Sequence, residues 1–451
     1  MEKLFEAFEK SNMQEWIEEA LSTLKGQDLA VLDSQTYEGI TIRPFYTSQD
    51  IKGFENNFYS DHDKNTRQNR QEIIVKDQNE ANQRALFALQ NGIDSISFDL
   101  TRLTKPDLKS LFHKINLEKY SIEIKPGSNI EEIIPQIEKN TFQLSINYDF
   151  LADWTMTGSL PDNALDNLAR LFKLNSAGEN TKILKISGQE FYNSGGNAIQ
   201  ELAFSLSKLV EYADQLTNKG IAIDNLFSRV EFSMAIGSNY FMEIAKFRAL
   251  RLLWRQILTA FKAKEVACII LARTAIWNKT TSDAYNNMLR ATTEAMSAII
   301  GGCNSLTIQP HNAHFEENDE FSERIARNIS TILKEESHLD KTSDAASGAY
   351  FIDNLTVNLA ENAWTLFQET EKKGGFVKAF EQNFIQDEIE KIASEKLKNL
   401  KDGKDILVGV NKFQNKTEIQ DTPEKGLEIN TKTVKFQLLK PFRMEKGLKN
   451  Q

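Results

Sequence analysis

From about residue 80 the chain alternates between two kinds of segment, and this alternation constrains its fold more than any other feature. Short runs rich in β-branched and aromatic residues are separated by longer stretches whose apolar residues recur every three or four positions, the pattern of strand-helix units sharing one sheet. The runs are 93–100, 120–124, 142–147, 183–186, 230–235, 266–271 and 305–308, with an eighth expected between residues 339 and 352. The clearest helices are 198–216, 240–261, 285–300 and 321–333. Eight such units favour a closed parallel (β/α)8 TIM barrel over an open sheet, and place function at the loops that follow the strands.

The barrel is assigned to residues 80–352. Before it, residues 1–79 read as a helix and an arm. Ser11 and Gln14 form a plausible capping box, and Met13, Trp16, Ile17, Ala20, Leu21 and Leu24 repeat at helical spacing until Gly26. After the barrel, Leu359, Ala363, Leu366, Phe367, Phe376, Phe380, Phe384, Ile389 and Ile392 mark C-terminal helices over 353–414. Residues 415–451 are polar with scattered prolines, a linker-like tail or one laid over a surface.

Composition bears on partners and compartment. Against 54 Lys and Arg stand 64 Asp and Glu, a formal charge of −10 that disfavours general attraction to nucleic acid or anionic membrane. No stretch approaches the ~18 consecutive apolar residues of a membrane span, and the start lacks the pattern of a signal peptide. With only Cys268 and Cys303, neither a disulfide framework nor a cysteine-rich metal site is expected, which fits a reduced cytoplasm.

Several motifs then occur in a fixed order. Near the start stands Arg43-Pro44-Phe45-Tyr46-Thr47, followed by Glu243-Ile244-Ala245-Lys246-Phe247-Arg248, Asp283-Ala284-Tyr285-Asn286-Asn287 and Gly301-Gly302. Arg324-Ile325-Ala326-Arg327-Asn328, Glu335-Glu336-Ser337-His338-Leu339 and Asp344-Ala345-Ala346-Ser347-Gly348-Ala349-Tyr350-Phe351 come next. Leu359-Ala360-Glu361-Asn362-Ala363-Trp364 and Lys404-Asp405-Ile406-Leu407-Val408-Gly409-Val410-Asn411-Lys412 complete the series. Across residues 36 to 415 this resembles the methylmalonyl-CoA mutase family, adenosylcobalamin enzymes that interconvert (R)-methylmalonyl-CoA and succinyl-CoA.

The departures from that family are as informative as the matches. The catalytic frame resembles the stretch Lys185-Ile186-Ser187-Gly188-Gln189-Glu190-Phe191, but where the family reads Ile-Ser-Gly-Tyr-His, its His meeting the thioester carbonyl, this chain has Gln189 and Glu190. The family's aromatic, substrate-clamping segment before the first strand is reduced to the polar 58–78, and Ala275-Ile276-Trp277-Asn278-Lys279 replaces its Gln-Thr-Ser-Gly-Trp loop. The family holds cobalt through an Asp-x-His-x-x-Gly motif on a further C-terminal domain. None of His62, His113, His311, His314 or His338 has that setting, and the chain's end leaves no expected room for such a domain.

What the resemblance implies is the small subunit of a heterodimeric mutase, with no catalytic residue and no bound cofactor of its own, supporting a large subunit that carries adenosylcobalamin. The arm and its helix are expected to dock on that partner. Gln189 and Glu190 are then degenerate active-site positions, and Arg273 with Thr274, after the sixth run, is either a residual acyl-CoA contact or part of a structural ion pair. An alternative is a catalytic acyl-CoA mutase barrel that borrows a cobalamin domain from another chain. A third, a hydrolase using Glu190 as general base, has only that carboxylate in its favour; the competing reading makes Glu190 a solvated remnant. His311 and His314 could face a metal but show no third ligand, so no metal site is assigned. Gly195-Gly196 is either a phosphate cradle or a turn needing flexible backbone.

Overall fold

The computed structural model describes residues 12–51, 67–139, 144–174, 181–317, 319–415 and 434–449. Eight strands form one parallel sheet: β1 Gln68–Ile74, β2 Ser95–Asp99, β3 Ser121–Lys125, β4 Ser145–Ile146, β5 Leu184–Ser187, β6 Val230–Ile236, β7 Ile270–Thr274 and β8 Ser305–Thr307. Their spatial order is β4-β3-β2-β1-β8-β7-β6-β5, so the first and last strands of the series are neighbours, with Ser305 opposite Gln68. The remaining seam, between β4 and β5, is bridged by the Ile146 N–H donating to the Lys182 carbonyl at 2.7 Å. This is a nearly closed (β/α)8 barrel.

Seven expected runs each overlap a strand, although 266–271 meets Ile270–Thr274 only at its end, and 142–147 yields only Ser145–Ile146, with its residues 142 and 143 outside the described residues. The expected eighth strand between 339 and 352 does not form: that stretch is a series of turns leading into a helix. The missing strand is β1, within the stretch assigned to the arm. Its sequence, Gln-Asn-Arg-Gln-Glu-Ile-Ile, lacks the apolar run typical of a doubly covered parallel strand. The polar residues are satisfied by period-two placement: Arg70 and Glu72 meet partners inside the barrel and at its mouth, while Asn69 and Gln71 bond to Ser330 and Glu323 on a covering helix.

The described long helices are α1 Met13–Thr23, α2 Gln78–Gln90, α3 Ile130–Lys139, α4 Ala164–Phe172, α5 Ala198–Asn218, α6 Tyr240–Ala260, α7 Asn286–Ile300, α8 Glu320–Glu335, α9 Tyr350–Lys372 and α10 Phe384–Lys401. Helices α2 to α8 surround the sheet, and α9 crosses the outer faces of α5 and α6. There Arg248 of the Glu243-to-Arg248 motif reaches Asp353 at 2.7 Å and Asp344 at 3.4 Å. Two motifs distant in sequence are thus one buried contact. Among the described residues no helix is long and apolar enough to cross a membrane.

Helix α1 starts at Asn12, whose side chain accepts from the Glu15 N–H while Glu15 accepts from the Asn12 N–H. The capping pair is therefore Asn12 and Glu15 instead of Ser11 and Gln14; Ser11 lies outside the described residues. No residue of α1 is buried, and Trp16 is stacked on Phe45 with ring centroids 5.1 Å apart. From Tyr37 onward the arm is fixed to the barrel: the Tyr37 carbonyl accepts from Asn197 at 2.7 Å, and Ile40 and Ile51 are buried.

Candidate functional site

β5 delivers the frame that matters most. It ends at Ser187, and Gly188 follows in close contact with α5, where a Cβ would stand 2.7 Å from the Ser205 hydroxyl oxygen. A short helical turn, Gln189–Asn193, begins at once. Turning the chain here sends Gln189 and Glu190 in different directions.

Gln189 faces the barrel mouth. Its amide donates to Ser233 on β6 at 2.5 Å, and its carbonyl oxygen accepts from Arg273 on β7 at 3.3 Å. The Arg273 Nε sits 3.0 Å from both oxygens of Glu72 on β1, and Gln309, just after β8, donates to the same carboxylate at 2.9 Å. Thr274 is buried, and its hydroxyl accepts the Gln309 N–H at 2.9 Å. A belt of side chains thus ties β5, β6, β7, β8 and β1 across the mouth. Arg273 stands in an ion pair.

Glu190 turns away from the mouth and is 3% exposed, so it is not solvated as the simplest reading of the sequence expected. It pairs with Lys208 of α5, which also lies 2.8 Å from Asp149. Asp149 in turn accepts from the Ser187 N–H at 2.9 Å and the Tyr212 hydroxyl at 2.8 Å. Burial raises the Glu190 pKa, and the Asp149 charge adds to this against the opposing pull of Lys208. Burial alone would lower Lys208, but its two carboxylates more than offset it. The triad staples the β4-β5 seam, where the backbone ladder is thinnest.

Below the mouth the barrel axis is filled by charge. Arg70 Nη1 lies 2.9 Å from Glu123 and 3.3 Å from Glu231, and Lys185 pairs with Glu123 as well. Ser97 donates to Glu123 at 2.7 Å. All four charged groups are at most 7% exposed. Burial pushes the Glu123 pKa up, but Lys185 and then Arg70 reverse the balance and hold it at about 2. Barrel layers are ordinarily filled by branched apolar side chains; this one has two cations matched by two carboxylates.

Among the described residues His311 and His314 do not assemble a metal site; His62 lies outside the described residues. The His311 ring lies 5.2 Å from Tyr285 and 6.2 Å from Phe321, as part of an aromatic row. His314 has its Nε2 out of contact with solvent, and burial, together with the charges of Arg273, Lys279 and Arg443, lowers its pKa to about 3. Among the described residues no cluster of three His, Cys, Asp or Glu side chains could hold a metal ion. Nor is Gly195-Gly196 a phosphate cradle. Its N–H groups already donate to the Tyr192 and Phe191 carbonyls, its own carbonyls accept from Lys396, and a Cβ at Gly195 would meet that of Ala393 at 2.4 Å. It is a turn that lets α10 approach.

The described part of the tail is laid over a surface, the second of the two courses read for it, and sequence reasoning did not say which surface. Residues 434–449 cross the C-terminal face of the barrel: Leu439 donates to the Thr155 carbonyl, Phe442 to Asn193 and Met444 to Trp277, at 2.8 to 3.0 Å. Phe442 packs edge-on against Trp277, with centroids 4.8 Å apart. The apolar residues Val434, Phe436, Leu438, Leu439 and Phe442 were the available signal, diluted by the polar residues around them. Residues 416–433, also assigned to the tail, lie outside the described residues.

The family model described as methylmalonyl-CoA mutase matches residues 103–450. The methylmalonyl-CoA mutase small subunit of Porphyromonas gingivalis is 34% identical over 448 residues, covering 93% of this chain and 72% of that one. The methylmalonyl-CoA mutase of Cereibacter sphaeroides is 30% identical over 89% of this chain, and that of Escherichia coli 29% identical over 90%. Of each of these two the chain spans 64% of the length. With a family match over most of its length and these relatives, the chain belongs to the methylmalonyl-CoA mutase family.

Proposed function

We propose that this chain is a non-catalytic small subunit of a heterodimeric, adenosylcobalamin-dependent methylmalonyl-CoA mutase, supporting a large subunit that carries out the rearrangement. One observation carries the reading. At the strand end where the family's Tyr-His pair would meet a thioester carbonyl, Gln189 is committed to Ser233 and Arg273, and Glu190 is turned inward onto Lys208. A carbonyl in the mouth would find its donors already engaged by the barrel itself.

Adenosylcobalamin is assigned to the large subunit. The family would hold that cofactor through the imidazole of an Asp-x-His-x-x-Gly motif, and none of the five histidines stands in that setting. The mouth is crossed by residues 439–445. The residues present here do not fit the group, and no step of the reaction is routed through them.

Purified alone and given adenosylcobalamin with methylmalonyl-CoA, the chain is expected to form no succinyl-CoA; with the large subunit added, turnover should appear. Turnover by the isolated chain would overturn the proposal. A second expectation concerns the arm. With α1 unburied and the arm fixed to the barrel from Tyr37 among the described residues, deletion of residues 1–30 should leave the thermal midpoint of the barrel unchanged. Pairing should weaken, because each large apolar side chain of the Trp16, Ile17, Leu21 and Leu24 stripe gains roughly 1.5–3 kcal/mol when a surface covers it. Undiminished pairing in size-exclusion chromatography would show that the partner does not use this stripe.

A further inference from the structure

The loop after β7 holds an arrangement that the mutase reading does not use. Thr281 and Ser282 direct four donors at one carboxylate, that of Glu445 in the tail. The Thr281 N–H and hydroxyl reach Glu445 Oε2 at 2.7 and 3.0 Å; the Ser282 N–H reaches Oε1 at 3.2 Å, and the Ser282 hydroxyl also donates to Oε1. Glu445 is 1% exposed, and the Arg290 guanidinium is near enough to feel its charge. Successive backbone N–H groups reinforced by hydroxyls form a seat for an anion. The occupant belongs to a segment that also touches the mouth through the Phe442 and Met444 backbone bonds, the Arg443 bond to the His314 carbonyl, and the Phe442-Trp277 and Arg443-Phe315 ring contacts.

We infer that Thr281 and Ser282 form an oxyanion site held by the chain's own Glu445, making residues 440–447 a tethered plug that a free carboxylate or phosphate can replace. The chemistry selects a ligand with two adjacent anionic oxygens, since each glutamate oxygen takes one N–H and one O–H. A tethered ligand has an effective concentration on the order of millimolar. A free anion therefore fills the seat only when the tether is disarmed or the anion is abundant. Release of the plug would uncover Trp277, now packed under Phe442, and the loop joining β7 to the mouth belt. The inference is independent of whether the chain is catalytic.

The test uses the full chain and Glu445→Gln. An amide keeps the shape but presents an NH2 to donors where an oxygen was held, and hydrogen bonds to charged groups are the strong ones. Amide exchange of 439–447 should speed up about tenfold or more in the variant. Millimolar inorganic phosphate should then slow exchange of 279–283 and shift tryptophan emission in the variant, but not in the parent; sodium acetate, run in parallel, distinguishes a carboxylate seat from a phosphate seat. Unchanged exchange at 439–447 would overturn the plug, and a released tail with no response to either anion would overturn the oxyanion site. Should Glu445→Gln fail to fold, the double variant Thr281→Val, Ser282→Ala provides the same reading. It must release the tail and respond to neither anion, and retention of a closed tail would overturn the proposal.

Discussion

Lys208→Met is expected to destabilise the chain by about 3–5 kcal/mol, the range for removing one partner from a buried ion pair and leaving charge behind. That is a large share of the ~5–15 kcal/mol by which a folded domain exceeds its unfolded state. Lys208 is fully buried between Asp149 and Glu190, and Asp149 also holds the Ser187 N–H and the Tyr212 hydroxyl across the β4-β5 seam. Methionine matches the stem but leaves two carboxyl groups facing each other without a cation. Glu190→Gln should cost far less, because burial already favours the uncharged form of that carboxyl and an amide oxygen can still accept from Lys208. The two variants also differ in pH dependence. A carboxyl whose folded pKa is raised contributes stability that is present below its unfolded value and lost as pH rises through the folded one. The parent should therefore lose this contribution above the ordinary carboxylate range, and Glu190→Gln should not. Urea titrations from pH 4 to 8 would read both effects. A Lys208→Met midpoint equal to the parent's would mean that the triad does not hold the seam.

The alternation of strand and helix was legible because seven of the barrel strands are apolar enough to mark themselves. β1 was not, since Arg70 and Glu72 spend its polarity on partners that no local pattern reveals. The same physics limited the reading of the site. Gln189 and Glu190 could be singled out from the frame around them, yet adjacent positions in a tight turn point oppositely, and nothing local says which enters the mouth. Glu190 read as solvated because a carboxylate usually is; its cation lies 18 residues on, one helix away. Arg273 and Glu72 are 201 residues apart, so their pairing belongs to the closed barrel and not to either segment. The mouth-covering tail was hidden for a related reason: its apolar residues are few and find their surface only after the loops of β5 and β7 have been brought together.

The layer inside the barrel yields the last expectation, and the sign depends on how many of its members are changed. Lys185→Met alone should cost about 3–5 kcal/mol, because Glu123 and Glu231 would share Arg70 in a space with almost no access to water. Replacing Arg70, Glu123, Lys185 and Glu231 together by Met, Leu, Met and Leu should be neutral or stabilising by about 1–4 kcal/mol, since desolvation of four charges is then avoided. Acid response separates this from a simple packing effect. Glu123 is held at about 2, so its ion pairs contribute stability that is fully present above the ordinary carboxylate value and lost as pH falls toward 2. The parent should weaken through that window, and the quadruple variant should show a shallower acid limb. If the quadruple variant instead loses the sum of the single losses, the ion pairs are net stabilisers, and replacement by branched apolar layers would not suit this barrel. If it gains stability, desolvation of the four charges outweighs their mutual attraction, and the ion pairs are not what holds this barrel together.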